Sequence, residues 1–203
     1  QEKNKQTKLI NGLKRKEKNY KNDIDKKQKL SNQLNKEIEK LIKEAIKESN
    51  KNSTKNVFTL TPEAKLTAKN FLSNKGNLPW PVERGVIIQR FGLQPHPVVR
   101  TTKIQSNGIV IATTKNASVR SVFNGVVLSV LKFKSSNLTV LIQHGNYITA
   151  YKNLASVFVE KGQKVSSLES IGITFDNDET KTTLQFSIFE NTKALDPYLW
   201  IAK

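Results

Sequence analysis

Apolar residues in the first fifty positions recur at helical spacing: Ile10, Leu13, Tyr20, Ile24, Leu34, Ile38, Leu41 and Ala45 fall on one seam in steps of three and four. Glu17, Lys27 and Ser31 interrupt the seam, and Leu30 falls beside it. The stretch holds one glycine and no proline, so the pattern predicts a long amphipathic helix of coiled-coil type. A helix so polar elsewhere gains little by itself, and the expectation is a second helix against it, in a hairpin or between chains. The polar break "ESNKNSTKN" at 48–56 follows. A short second helix is then predicted, with Thr61 as N-cap, Pro62 at its first position, Glu63 in its first turn and Asn74-Lys75-Gly76 at its end. Ala64, Ala68, Phe71 and Leu72 give it one apolar side, which suits either permanent packing or a detachable arm.

From residue 78 the texture changes to alternating β-branched and polar residues punctuated by Gly and Asn. Strands are predicted at 109–113, 118–122, 125–133, 138–144, 147–151, 171–175 and 183–190. Turns are predicted at Asn124-Gly125, Ser135-Ser136-Asn137, His144-Gly145-Asn146 and Glu160-Lys161-Gly162-Gln163. The expected fold class is therefore mainly β with N-terminal helices. Residues 1–50 form a coiled-coil segment, 51–77 a linker and short helix, and 78–203 an antiparallel sandwich or open barrel.

Composition narrows the chemistry. The 203 residues carry 34 Lys and Arg against 17 Asp and Glu, a net charge of +17. The excess is even, +9 over 1–56 and +8 over 57–203, with neither a basic tail nor a recognisable nucleic-acid module. With no cysteine, disulfides, thiolate metal sites and cysteine nucleophiles are excluded. No run of about 18 apolar residues is present to span a membrane, and "QEKNKQ" has no signal-peptide core.

Six blocks stand in order: "LPWPVERGVIIQRFG…HPV", "NGIVIAT", "ASVRSVFNGVVLSV", "LTVLIQHGNYITAYKNL", "VEKGQKVSSLESIG" and "TTLQFSIFE…LDPYLWI". Over residues 78–202 they resemble the LytM or lysostaphin-type peptidoglycan endopeptidase domain, which has a duplicated hybrid motif fold. With the helix in front, the whole chain resembles an EnvC-type murein hydrolase activator. Active peptidases of this type hold zinc through an H-x-G-x-D strand and the second His of an H-x-H strand, and two further histidines assist the bound water. In this chain the first motif falls on Ser106, Gly108 and Val110, the "TxYxHL" histidine on Asn153, and the H-x-H pair on Thr183 and Gln185. Zinc needs imidazole or carboxylate lone pairs, and a valine has none. The lost ligand positions are thus Ser106, Val110 and Gln185, the lost histidines Asn153 and Thr183, and no catalytic residue, metal or cofactor is expected. His96 and His144 read as turn or surface residues, and "DNDE" at 176–179 as a solvated loop.

A fold that keeps its core without its metal ligands is plausible as a groove. Its expected floor is Asn107, Arg120, Tyr151, Lys152, Asn153, Gln185 and Ser187, flanked by Phe186 and Phe189. For Phe186 and Tyr151 core packing is the competing reading, and for Arg120 a solvated charge. The resemblance implies a non-catalytic activator of periplasmic N-acetylmuramoyl-L-alanine amidases, exported by a signal peptide outside this chain. It implies autoinhibition by a helical arm, expected within residues 35–75, and release by an FtsE/FtsX-type transporter acting on the coiled coil. Glu190 sits where a basic residue would better suit an acidic partner helix. A peptidoglycan-binding module without catalysis is the alternative, an active hydrolase with an unorthodox site a second, and a pure coiled-coil scaffold does not account for the β domain.

Overall fold

The computed structural model describes residues 2–50, 56–96, 99, 101–132, 137–176 and 181–203. Residue 133 of one expected strand, Ser135 and Ser136 of an expected turn, and 177–179 of the acidic loop lie outside this set. Two helices come first, α1 (Glu2–Ser49) and α2 (Pro62–Ser73). Twelve strands follow: β1 (Val86–Gln89), β2 (Gly92–Pro95), β3 (Lys103–Ser106), β4 (Ile109–Ala112), β5 (Ser118–Arg120) and β6 (Gly125–Lys132), then β7 (Leu138–His144), β8 (Tyr147–Val157), β9 (Lys164–Val165), β10 (Ser170–Thr174), β11 (Thr183–Glu190) and β12 (Lys193–Leu195). Alternation found the long strands well. It missed β1, β2, β3, β9 and β12, and it ended β8 six residues early; the missed strands are two to four residues long, too short to show a period.

Ten strands form one antiparallel sheet with the path β1-β4-β11-β8-β7-β6-β9; β10 joins β5 to β8, and β12 extends β11. β2 and β3 make a separate ribbon. Strand alternation gives the main sheet two working faces. On the inner face, Tyr147 and Tyr151 of β8, Leu184, Phe186 and Ile188 of β11, and Val140 and Ile142 of β7 enter the main core. On the outer face lie Leu141, Ile148, Ala150 and Phe189, and these are buried as well.

The cover on that outer face is α1. Its buried positions are Ile24, Leu34, Ile38, Ile42 and Ile46, which pack with Phe58 and the four outer-face residues, or, for Ile24, with Val99 and Ile104. The expected helix partner is thus replaced, over residues 24–46, by the sheet. The buried stripe is also rotated: Ile42 is fully buried, whereas Leu41 and Ala45 are only partly covered. Neighbouring residues on a helix point about 100° apart, so Ile42 and Ile46, next to Leu41 and Ala45, continue the line of Leu34 and Ile38 in steps of four and meet the sheet. Leu9, Ile10, Leu13 and Tyr20 remain more than half exposed. No described helix is long and apolar enough to cross a membrane.

α2 begins as expected, with the Thr61 hydroxyl accepting from Ala64 N at 3.2 Å and Pro62 at the first position. Phe71 anchors it in the main core, stacking on His144 at 4.9 Å and Tyr147 at 5.0 Å and tilting against Trp200 at 5.2 Å. A Cβ on Gly145, whose φ is +73°, would sit 2.6 Å from Ala64 O and Ala68 Cβ, so the helix needs the bare turn beneath it. Leu72, expected on the packed side, is exposed. α2 is therefore part of the core, the permanent-packing alternative for that helix; of the span 35–75 expected to hold a helical arm, residues 35–46 of α1 are the part that lies on the outer sheet face.

Candidate functional site

β4 and β11 run side by side, with Val110 opposite Gln185 and Ile111 opposite Leu184. Ile111 and Leu184 turn inward, so Val110 and Gln185 turn outward. β8 lies on the other side of β11 with Lys152 opposite Gln185. β4 can approach β11 this closely because Gly108 has no side chain: a Cβ there would lie 2.2 Å from Phe186 O and 2.3 Å from Ser187 Oγ. The result is a cleft floored by Val110, Gln185, Ser187 and Lys152, walled by Ser106 and Asn107, and closed above by Ile24, Lys27, Gln28, Ser31 and Asn35 of α1. It encloses a cavity of about 200 Å³.

Ser106, Val110 and Gln185, the positions expected from the resemblance to correspond to zinc ligands, all line this cavity, as do Asn107, Lys152 and Ser187. The Ser106 hydroxyl donates to Gly108 O at 2.8 Å. Among the described residues no cluster of three or more His, Cys, Asp or Glu side chains is placed to hold a metal ion. Asp176 of the acidic loop pairs with Lys115 at 3.3 Å and accepts from Thr182 at 2.7 Å.

Three expected floor residues lie elsewhere. Tyr151 is fully buried on the inner face, where its hydroxyl accepts from Val122 N at 2.9 Å and from Thr149 at 3.2 Å. Arg120 sits on β5, paired with β10, and its Nε donates to Trp80 O at 3.3 Å. Asn153 adopts a φ of +74° where β8 passes the end of β11; its amide donates to Thr183 O at 2.6 Å and its oxygen accepts from Asn137 at 2.6 Å. Asn153 and Thr183, the two positions expected to correspond to assisting histidines, thus hold one another. Of the expected flanking aromatics, Phe186 packs inward and Phe189 meets α1. Glu190 accepts from Tyr147 Oη and Asn146 Nδ2, both at 3.4 Å.

Of the two histidines, His96 keeps the turn position expected of it, between β2 and β3, and His144 does not. His144 is a core residue: Nδ1 hydrogen-bonds Asn124 O at 2.7 Å, Nε2 meets the Thr149 hydroxyl at 2.9 Å, and burial lowers its pKa to about 4. A histidine at the end of an apolar strand with a glycine turn after it is a weak signal for such packing, and sequence reasoning missed it. His96 borders the cleft, with Nδ1 accepting from Val99 N at 3.1 Å.

α1 closes the cleft through polar contacts at one end and apolar contacts at the other. Gln28 Nε2 donates to Gln105 O at 3.0 Å, and Gln105 N donates to Gln28 Oε1 at 3.2 Å. Lys152 Nζ donates to Asn35 Oδ1 at 2.8 Å. Lys152 is 5% exposed, and burial lowers its pKa to about 8. Gln28, Asn35 and Ser31 had no place in the expected floor, because nothing in a strand pattern says which helix will lie on it.

Residues 104–197 match the family described as Peptidase family M23. The matched segment spans β3 to β12 and so contains the cleft floor. The peptidoglycan DD-endopeptidase ShyA of Vibrio cholerae is 36% identical over 80 residues, 39% of this chain and 18% of that protein. The chain therefore spans under a fifth of the curated relative it matches. A crystal structure of a zinc-containing peptidase from Vibrio cholerae superposes with a TM-score of 0.53 at 26% identity, covering 64% of this chain and 41% of that one. The structure of the SpoIIQ–SpoIIIAH pore-forming complex gives the same TM-score at 23% identity, covering 64% of this chain and 93% of that one, a likeness of fold. These matches support an M23, LytM-type domain related to cell-wall hydrolases.

Proposed function

We propose that the chain is a non-catalytic activator of peptidoglycan amidases whose M23-type cleft binds a partner segment and is held shut by α1. The observation that carries this reading is the seat of α1 itself. Residues 24–46 lie across the floor that holds the former ligand positions, fixed by Gln28 and Asn35 at one end and by Leu34, Ile38, Ile42 and Ile46 at the other. Ser106, Val110 and Gln185 offer no imidazole or carboxylate to a zinc ion, which supports a binding role and not hydrolysis.

In this reading the internal helix and a helix of an N-acetylmuramoyl-L-alanine amidase compete for one surface. The internal helix is favoured by high effective concentration because it is tethered. The exposed Leu9, Ile10, Leu13 and Tyr20 stripe gives an FtsE/FtsX-type transporter complex a handle on α1, so that a pull on that half lifts residues 24–46. The curated relative is named as a peptidoglycan endopeptidase, which supports an exported, periplasmic location.

Release of dye from labelled sacculi tests the reading, comparing amidase alone, this chain alone, amidase with this chain, and amidase with the chain carrying Ile38→Asp. Release should appear with amidase and rise most with the opened variant. Release by the chain alone would make it a hydrolase, and no stimulation in either mixture would remove the activator role. The +17 charge keeps a second reading in view, a wall-binding module, whose mark is sacculus binding that persists as salt screens the charge.

A further inference from the structure

Among the described residues, the cavity under α1 is lined by Lys27, His96 and Lys152 and by no carboxylate. Lys152 is the group that matters, because it stands on the floor itself. Its neighbours across the strands, Gln185 on β11 and Thr139 on β7, are neutral. None of the ion pairs among the described residues includes it. Its hydrogen-bond partner is the Asn35 amide oxygen of α1. A buried ammonium facing a neutral amide is poorly compensated, since its desolvation cost is offset by no opposite charge.

Resting on the competition described above, we propose that the segment which replaces α1 in the cleft is an amphipathic helix carrying an Asp or Glu carboxylate opposite Lys152, in the place that Asn35 fills at rest. The floor favours a helix: beyond Lys152 it continues into Ala150, Ile148, Leu141 and Phe189, an apolar strip already matched to Leu34, Ile38, Ile42 and Ile46. The neutral Asn35 has a physical purpose. A tethered arm that also made the ion pair would be hard to displace by any free partner, whereas an arm with an amide at that point leaves the strongest contact in the cleft to the incoming chain. Lys152 thereby selects for acidic partner helices.

Two synthetic peptides test this, residues 24–46 as they stand and the same peptide with Asn35→Asp. Each is titrated by fluorescence anisotropy into the full chain carrying Ile38→Asp and Ile42→Asp, with α1 release checked by amide exchange. The Asn35→Asp peptide should bind about tenfold more tightly, and the preference should vanish when Lys152→Met is added. Equal binding of the two peptides, or a preference that survives Lys152→Met, overturns the carboxylate assignment while leaving the cleft a helix site. Binding of neither peptide overturns the competition reading along with it. Lys152-dependent displacement of the peptides by a soluble muropeptide would assign the cleft to wall fragments instead. A second measurement avoids the opened variant altogether. In the otherwise unaltered chain, Asn35→Asp should slow amide exchange across residues 24–46 about tenfold, and Lys152→Met should cancel that gain; no slowing counts against the proposal.

Discussion

Gln28 of α1 pairs with the main chain of Gln105 as a neighbouring strand would, donating to its carbonyl at 3.0 Å and accepting from its amide at 3.2 Å. β3 is bonded to β2 on its other side, so this one side chain supplies the free edge with both partners it lacks there. The helix is thereby tied to the cleft wall by the backbone of the wall, independent of which side chain stands at 105.

Replacing Gln28 by Leu should therefore weaken α1 at its polar end by about 0.5–1.5 kcal/mol, the net worth of hydrogen bonds whose exposed partners on Gln105 can turn to water. Exchange of the amides in 24–35 should speed up, while the thermal midpoint of the β domain stays within a few degrees. Unchanged exchange would show that the Ile24, Val99 and Ile104 cluster alone holds this end.

Ile38→Asp should open the apolar end. Ile38 is fully buried against the sheet, and an unpaired carboxylate there is expected to ionise only by leaving. The exposed strip of Leu141, Ile148 and Phe189 would then bind a hydrophobic dye, and amides 24–46 would lose protection while those of β7, β8 and β11 keep theirs. Loss of protection in the strands as well would mean that α1 is required for the fold.

The grip of α1 should strengthen with pH. Lys152 has a pKa of about 8 while covered, below the ordinary 10.5 it regains once exposed, so the open state holds the extra proton between those values. The closed state is penalised in full below pH 8 and gains stability as pH rises toward 10.5, by about 3 kcal/mol at most. Lys27 and His96 line the same cavity and are retained in the comparison. Amide exchange in 24–46 at pH 7.5 and 9.5, corrected for intrinsic rates, should show relatively greater protection at the higher pH; Lys152→Met should flatten the trend.

His144 predicts a trend of the same sign for global stability, in a more acidic window. It is buried neutral with a pKa of about 4, against 6.5 when unfolded, so the unfolded chain binds the extra proton between those values. Stability should be level above about pH 6.5 and fall as pH drops toward 4, read as a falling urea midpoint. Phe71→Ala, which removes the ring stacked on this imidazole, should cost about 3–5 kcal/mol at neutral pH and free α2.

Rebuilding the metal site tests the ancestry of the cleft. Ser106, Val110 and Gln185 share one cavity, so Ser106→His, Val110→Asp and Gln185→His together, in the chain opened by Ile38→Asp, should bind one zinc ion per chain by atomic absorption after dialysis. Retention no greater than in the opened chain without these three changes would show that the backbone has drifted from ligand geometry.

Much of the molecule was readable before any fold was known, because local chemistry carries it. Thr61 and Pro62 set the start of α2 through capping and a preset φ, and alternation located the long strands. Block order marked Ser106, Val110 and Gln185 as neighbours, and all three line one cavity. Other assignments turned on contacts between distant segments. Tyr151 and Lys152 are adjacent on β8, and alternation says that they face opposite ways, but which side is core follows from the elements packed on each: Val122 supplies a donor to Tyr151, and Asn35 an acceptor to Lys152. The same holds for α1. Its periodicity requires one stripe to be buried, yet Leu41 and Ile42 are equally apolar. The apolar face of Leu141, Ile148, Ala150 and Phe189 selected the stripe of Leu34, Ile38, Ile42 and Ile46, because burial energy depends on the surface that is met.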